Sequence, residues 1–144
     1  MPTEKQRFVW MNGEFVEWDR ANVPILTHAL HYGTGVFEGI RAYKTVDGLS
    51  VFRLREHMRR LKASAHTYMI DLPYSETELC QATTALLAKN EIQDSAYIRP
   101  VAFKALGSID LDFREVPTWV AIVAFPFNKY FAKEGLDVCV SSWR

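Results

Sequence analysis

The chain has 144 residues, 49% of them apolar and 24% charged, and its 17 basic residues balance 17 acidic ones. That length holds one domain with a sizeable core, and zero net charge argues against nucleic acid or an anionic membrane as the main partner. No apolar run approaches the about 20 residues of a membrane-spanning helix, Met1 to Arg7 lacks the apolar stretch of a secretory signal, and Cys80 and Cys139, which form no CxxC pair, suggest reduced thiols in a cytoplasmic protein.

In chain order, Phe8 to Met11 and Glu14 to Trp18 flank Asn12-Gly13, the strongest short hairpin signal. Val23-Pro24-Ile25-Leu26 leads to a glycine-punctuated turn at Gly33 and Gly35, and a strand is expected from Val36 to Tyr43. Alternation puts Phe37, Gly39, Arg41 and Tyr43 on one side of it and Val36, Glu38, Ile40 and Ala42 on the other. Asp47-Gly48 turns the chain into a returning strand from Leu49 to Leu54. Arg55 to Met69 reads as a helix with Leu54, Met58, Leu61, Ala65 and Tyr68 in one apolar stripe. Ser75-Glu76-Thr77-Glu78 is a capping box. The helix it opens runs to about Asn90 and turns Leu79, Ala82, Leu86 and Leu87 inward. Ala96 to Phe103 is a strand, and Pro100 predicts an edge or a bulge there. A loop follows over 105–115. Thr118 to Phe125, apolar on both faces, suits a central strand, and Leu136 to Ser142 begins another. The pattern predicts an α+β fold, a largely antiparallel sheet with two helices packed on one face.

Several side chains stand out against this background. Arg41 lies between the aromatics Phe37 and Tyr43 beside the space left by Gly39, which resembles the wall of a pocket for an anion. Strand periodicity alone favours an outward, solvated arginine, and the aromatic face-mates count against that. Arg60 can pair with Glu56 one turn earlier, worth about 0.3–0.5 kcal/mol, and spacing does not separate it from Arg59. Tyr97 and Arg99 point the same way from one strand. An arginine in an apolar strand needs a partner, either a ligand or a structural carboxylate such as Asp94 or Asp110. In the 105–115 loop, Leu106, Ile109, Leu111 and Phe113 are too apolar for free solvation and suggest a partner surface. The four histidines suggest no metal site: His28 and His31 would share a face only in a helix, and His57 and His66 fall on different faces. No G-x-S-x-G nucleophile motif occurs.

The run Thr27-His28-Ala29-Leu30-His31-Tyr32-Gly33-Thr34-Gly35-Val36-Phe37-Glu38-Gly39-Ile40-Arg41-Ala42-Tyr43 resembles the N-terminal motif of the fold-type IV (class IV) pyridoxal-phosphate aminotransferases. It is most similar to the branched-chain amino acid aminotransferases. Phe52 to Leu61 and Ser95 to Pro100 resemble two further segments of the same family. The resemblance implies that Tyr32, Phe37 and Arg41 line a substrate pocket and that Arg60 contacts the phosphate of pyridoxal phosphate. Arginine suits that task because it binds phosphate oxygens bidentately and stays charged. It also implies that Tyr97 and Arg99 reach substrate carboxylates, and that Leu111 crosses a dimer interface into a neighbour's pocket. Phe127 and Tyr130 would touch substrate.

The same resemblance implies a transaminase moving amino groups between branched-chain L-amino acids and 2-oxoglutarate. Its partners would be small amino and 2-oxo acids, in a homodimer or higher homo-oligomer. The lysine that holds the cofactor as a Schiff base in this family lies in a second, C-terminal domain. None of the lysines here matches it, and it is expected beyond Arg144. Residues 1–144 are therefore expected to be the small N-terminal domain, inactive alone, without a catalytic residue of its own and not holding the cofactor by itself. Apolar surface around Phe125 to Phe131 should make it self-associate. A D-amino acid aminotransferase, an aminodeoxychorismate lyase, or a non-catalytic binding or dimerisation module are the alternatives. A reading frame continuing into a lysine-bearing domain would favour the enzymes over the module.

Overall fold

The computed structural model describes residues 6–127, 135 and 137–143. The elements are β1 (Phe8–Met11), β2 (Glu14–Glu17), a 3₁₀ turn (Trp18–Arg20), α1 (His28–Tyr32), β3 (Gly35–Phe37), β4 (Ile40–Thr45), β5 (Gly48–Val51), α2 (Leu54–Thr67), α3 (Glu76–Lys89), β6 (Ala96–Lys104) and β7 (Thr118–Pro126). Among the described residues all seven strands join one sheet in the order β2-β1-β7-β6-β4-β5, with β3 also on β6. Every pairing is antiparallel. The α+β expectation holds.

Local chemistry explains the frame. Asn12 and Gly13 both take positive φ, 49° and 96°, which the hairpin turn requires and these residues tolerate. The Asn12 side chain then accepts from the Val120 amide at 2.8 Å, tying the turn to β7. At the head of α3, Ser75 Oγ accepts from the Glu78 amide at 3.2 Å, and the Glu78 carboxylate accepts from the Ser75 amide at 2.8 Å. Two otherwise orphaned donors are satisfied at once. The far end is held by Asn90, which accepts from the Phe8 amide and donates to its carbonyl. The helices cover one face of the sheet. Met58 and Leu61 of α2 and Leu79 and Leu86 of α3 are fully buried with Ile40, Ile98, Val120 and Ile122 from the strands.

Four expectations are corrected. Pro100 is in neither an edge strand nor a bulge: β6 lies between β7 and β3/β4 in unbroken register. Glu38 donates its amide to the Pro100 carbonyl at 3.0 Å. A residue's N–H and C=O point the same way in an antiparallel strand, so the missing donor falls opposite Glu38 and Gly39. There the single expected strand splits into β3 and β4. The interruption keeps the register, so the expected assignment of faces survives it. Second, three α-helices are described where two were expected: residues 28–32 form the additional one, closed by Gly33 in the left-handed region at φ 66°. Third, the strand expected to run on to Leu54 ends at Val51, and Leu54 opens α2. Tyr68, expected on the apolar stripe, is exposed because α2 stops at Thr67. Fourth, residues 137–143 form no strand, and Val138, Val140 and Trp143 are exposed: the described strand pairings involve none of them. No described helix is long and apolar enough to cross a membrane.

Candidate functional site

The face of the sheet that the helices leave open carries the first group of candidates. Arg41 of β4 stands opposite Tyr97 of β6, and Tyr97 stands opposite Phe125 of β7. The Tyr97 ring packs between Phe125 and Phe127 at centroid distances of 5.6 and 5.5 Å. Its hydroxyl accepts from Arg99 Nη2 at 2.6 Å and Nε at 3.2 Å. The Arg99 guanidinium lies 4.2 Å from the centre of the Phe37 ring, which is 61% exposed. Arg41 Nη2 donates to the Phe127 carbonyl at 3.1 Å, and its guanidinium lies over the Phe127 and Tyr43 rings. Arg41 Nε is buried without a hydrogen-bond partner among the described residues.

Gly39 is what lets this cluster close. A β-carbon there would fall 2.6 Å from the Tyr97 hydroxyl oxygen. The suspected structural partners of Arg99 are engaged elsewhere: Asp94 accepts from the Ser95 amide and Asp110 from the Ser108 hydroxyl. Among the described residues neither Arg41 nor Arg99 forms an ion pair. Two guanidinium groups thus stand around a phenol on an aromatic wall, with no ion pair among the described residues. Such a surface can bind carboxylates.

Arg60 does not join this cluster. It belongs to α2, on the helix-bearing side, where its Nε and Nη2 both donate to Glu38 at 2.5 Å. The anticipated Glu56–Arg60 pair does not form: Glu56 pairs with Arg53 at 3.7 Å, and Arg59 reaches Glu76 of α3 at 3.4 Å. The long-range carboxylate wins because Glu38 is 5% exposed and its charge requires partners. His57 Nδ1 is the second, at 2.9 Å from Glu38 Oε2. The hydrogen bonds from Arg60, with help from His57, hold the Glu38 carboxyl below the usual carboxylate range against the opposing effect of burial. Glu38 in turn raises Arg60.

Tyr32 and Leu111 form a third, separate region. The Tyr32 hydroxyl donates to the Ile109 carbonyl at 2.9 Å. His28, 1% exposed, lies 2.9 Å from the Asp110 carbonyl through Nε2 and 2.8 Å from Thr34 Oγ1 through Nδ1. A carbonyl only accepts, so Nε2 carries the proton and Nδ1 accepts from the threonine. α1 and the loop over 105–115 are thereby locked together, with Leu111 80% exposed at its crest. Within the loop, Arg114 lowers Asp112 to about 2. Two expectations cannot be placed on this frame. Tyr130 lies outside the described residues, and so does Arg144, beyond which the cofactor lysine is expected.

Glu38, His57 and His28 were missed as site-forming residues. For Glu38 a signal existed: alternation already put a carboxylate on the core-facing side of its strand, where charge demands a partner. For the histidines none did, because their partners are distant in sequence.

Comparison with known proteins yields a consistent set of relatives. Residues 35–144 match the family model described as amino-transferase class IV. The branched-chain-amino-acid aminotransferase of Salmonella typhimurium is 45% identical over 150 residues, covering 99% of this chain and 48% of the relative. That of Escherichia coli K12 is 44% identical with the same coverage. The chain therefore spans about half the length of these curated relatives. Among solved structures, a branched-chain aminotransferase from Thermoproteus uzoniensis with norvaline superposes with a TM-score of 0.89 at 45% identity, over 96% of this chain and 47% of that one. The branched-chain amino acid aminotransferase from Thermobaculum terrenum in its PLP-form gives 0.77 at 28% identity, over 88% and 42%.

Proposed function

The chain belongs to the class IV amino-transferase family, and from that premise we propose that it is the N-terminal domain of a branched-chain-amino-acid transaminase, using 2-oxoglutarate as the other amino partner. The observation that carries the reading is the pair Arg41 and Arg99. Both stand on an aromatic wall around Tyr97 without an ion-pair partner among the described residues. Amino acids and 2-oxo acids share a carboxylate, the group such a pair recognises. Phe37, Tyr97 and Phe127 supply apolar surface beside it, which suits branched aliphatic side chains and excludes water.

The residues present fit pyridoxal phosphate in part. Arg60 is a phosphate donor with its side chain 64% exposed. When bound, the cofactor supplies the electron sink and carries the amino group between the two substrates. This chain's residues bind and orient: Arg60 takes the phosphate, Arg41 and Arg99 the carboxylates. Tyr32 and Leu111 form the surface offered across a homodimer interface to a neighbour's pocket. A covalent lysine is the part not matched among the described residues. Lys62 donates to the Tyr74 carbonyl and Lys104 to that of Val116. We assign the lysine to a second domain that follows Arg144.

The test is a substrate screen on the full-length protein. Transamination of leucine, isoleucine or valine with 2-oxoglutarate is expected, together with no turnover by residues 1–144 alone. Preference for D-alanine would overturn the substrate assignment, and turnover by the 144 residues would overturn the two-domain reading.

A further inference from the structure

The Glu38–Arg60–His57 cluster holds more geometry than a salt bridge needs. Glu38 comes from the break between β3 and β4, and Arg60 and His57 come from consecutive turns of α2. The carboxylate is almost fully buried, whereas the Arg60 side chain is mostly exposed. Both Glu38 oxygens are occupied by one edge of the guanidinium, Nε and Nη2. Nη1 has no partner among the described residues. A carboxylate only accepts, so His57 presents its Nδ1 hydrogen to Glu38. Arg60 Nη2, 3.3 Å from the same nitrogen, is therefore a second donor converging on one anion.

We infer that Glu38 is a positioning residue, gripping Arg60 by its Nε–Nη2 edge so that the Nη1 edge is turned outward as a preset donor for a phosphate. This rests on the assignment of Arg60 to the cofactor phosphate. An arginine free on a helix surface samples many rotamers, and freezing them counts against ligand binding. Glu38 meets that requirement in advance. The opposing effect is electrostatic: a carboxylate beside Arg60 weakens its pull on an anion. The two effects predict opposite signs when the charge of Glu38 is removed, which makes the inference decidable.

The experiment titrates cofactor-free full-length protein with pyridoxal 5'-phosphate and with unphosphorylated pyridoxal, reading binding by absorbance rather than turnover. The ratio of the two dissociation constants measures phosphate recognition alone. Arg60→Met is expected to lower it about a hundredfold, as loss of a charged contact does. Glu38→Gln is expected to lower it about tenfold by loosening Arg60, with pyridoxal affinity unchanged. Glu38→Asp keeps the charge but is one methylene shorter and grips the guanidinium less firmly, so a loss of about threefold is expected, and it decides the matter should Glu38→Gln not fold. A ratio unchanged or increased in the folded Glu38 variants would overturn the inference, as would equal weakening of both ligands. If Arg60→Met leaves the ratio intact, the phosphate assignment itself falls, and the inference with it.

Discussion

The two faces of one sheet are built from alternate residues of the same strands, yet they treat charge and apolar surface in opposite ways. On the helix side, Ile40, Ile98, Val120 and Ile122 are sealed beneath α2 and α3, and the intruding charge of Glu38 is met by two partners. On the open side, Phe37 and Tyr43 remain exposed, Tyr97 is wedged among aromatics, and Arg41 and Arg99 have no described carboxylate. One face is committed to folding, and the other leaves two guanidinium groups without an ion pair among the described residues.

That contrast fails if truncations on the two sides behave alike. Leu61→Ala, beneath the sheet, is expected to lower unfolding stability by about 2–5 kcal/mol in urea titrations. Phe37→Ala, on the open side, should change it by less than about 1 kcal/mol. Equal losses would mean that the open face belongs to the fold rather than to a ligand. Next in size, if the proposed transaminase reading is right, Arg99→Met should reduce kcat/KM of the full-length protein about a hundredfold while stability stays within about 0.5 kcal/mol. A variant that unfolds early but turns over normally would reverse the roles of the faces.

Gly39→Ala probes the boundary between them, since its methyl group would strike the Tyr97 hydroxyl. Overpacking of this kind costs about 1–3 kcal/mol, and the loss should shrink in a Tyr97→Phe background, which a double-mutant cycle would measure. Ser75→Ala removes the α3 cap for about 1 kcal/mol, and substrate KM should not move. The smallest effect is expected with pH. Glu38 titrates below its unfolded value, chiefly through Arg60, so its stabilisation is fully present above about pH 4.3. It is lost as pH falls through the lower folded value. Urea midpoints of the parent and Glu38→Gln, measured from pH 6 to pH 3, should converge toward acid; a constant gap would show that the carboxylate's charge is not what stabilises.

Much of the architecture was legible because its causes are local. Asn12-Gly13 sets a hairpin by backbone preference, Ser75 caps a helix together with Glu78 in the same turn, and Met58, Leu61 and Ala65 declare a buried stripe by period alone. The site was half legible. Strand alternation put Phe37 and Arg41 together, and Tyr97 with Arg99, without showing that the two pairs would adjoin. Errors arose where a local rule met a distant partner. Pro100 reads as an edge marker until the β3–β4 break opposite it absorbs the missing donor. Arg60 reads as the partner of Glu56 until a buried carboxylate 22 residues earlier in the chain outcompetes the exposed one.

What the order of amino acids determined unaided was most of the elements and which side of each strand a residue occupies, because turn chemistry and side-chain periodicity act within a few residues. Which strand lies at the centre, which carboxylate holds Arg60, and how His28 reaches the Asp110 carbonyl 82 positions away were decided by the folded chain alone. Those choices follow from the demand that buried charges and donors find partners, and only packing determines who is within reach.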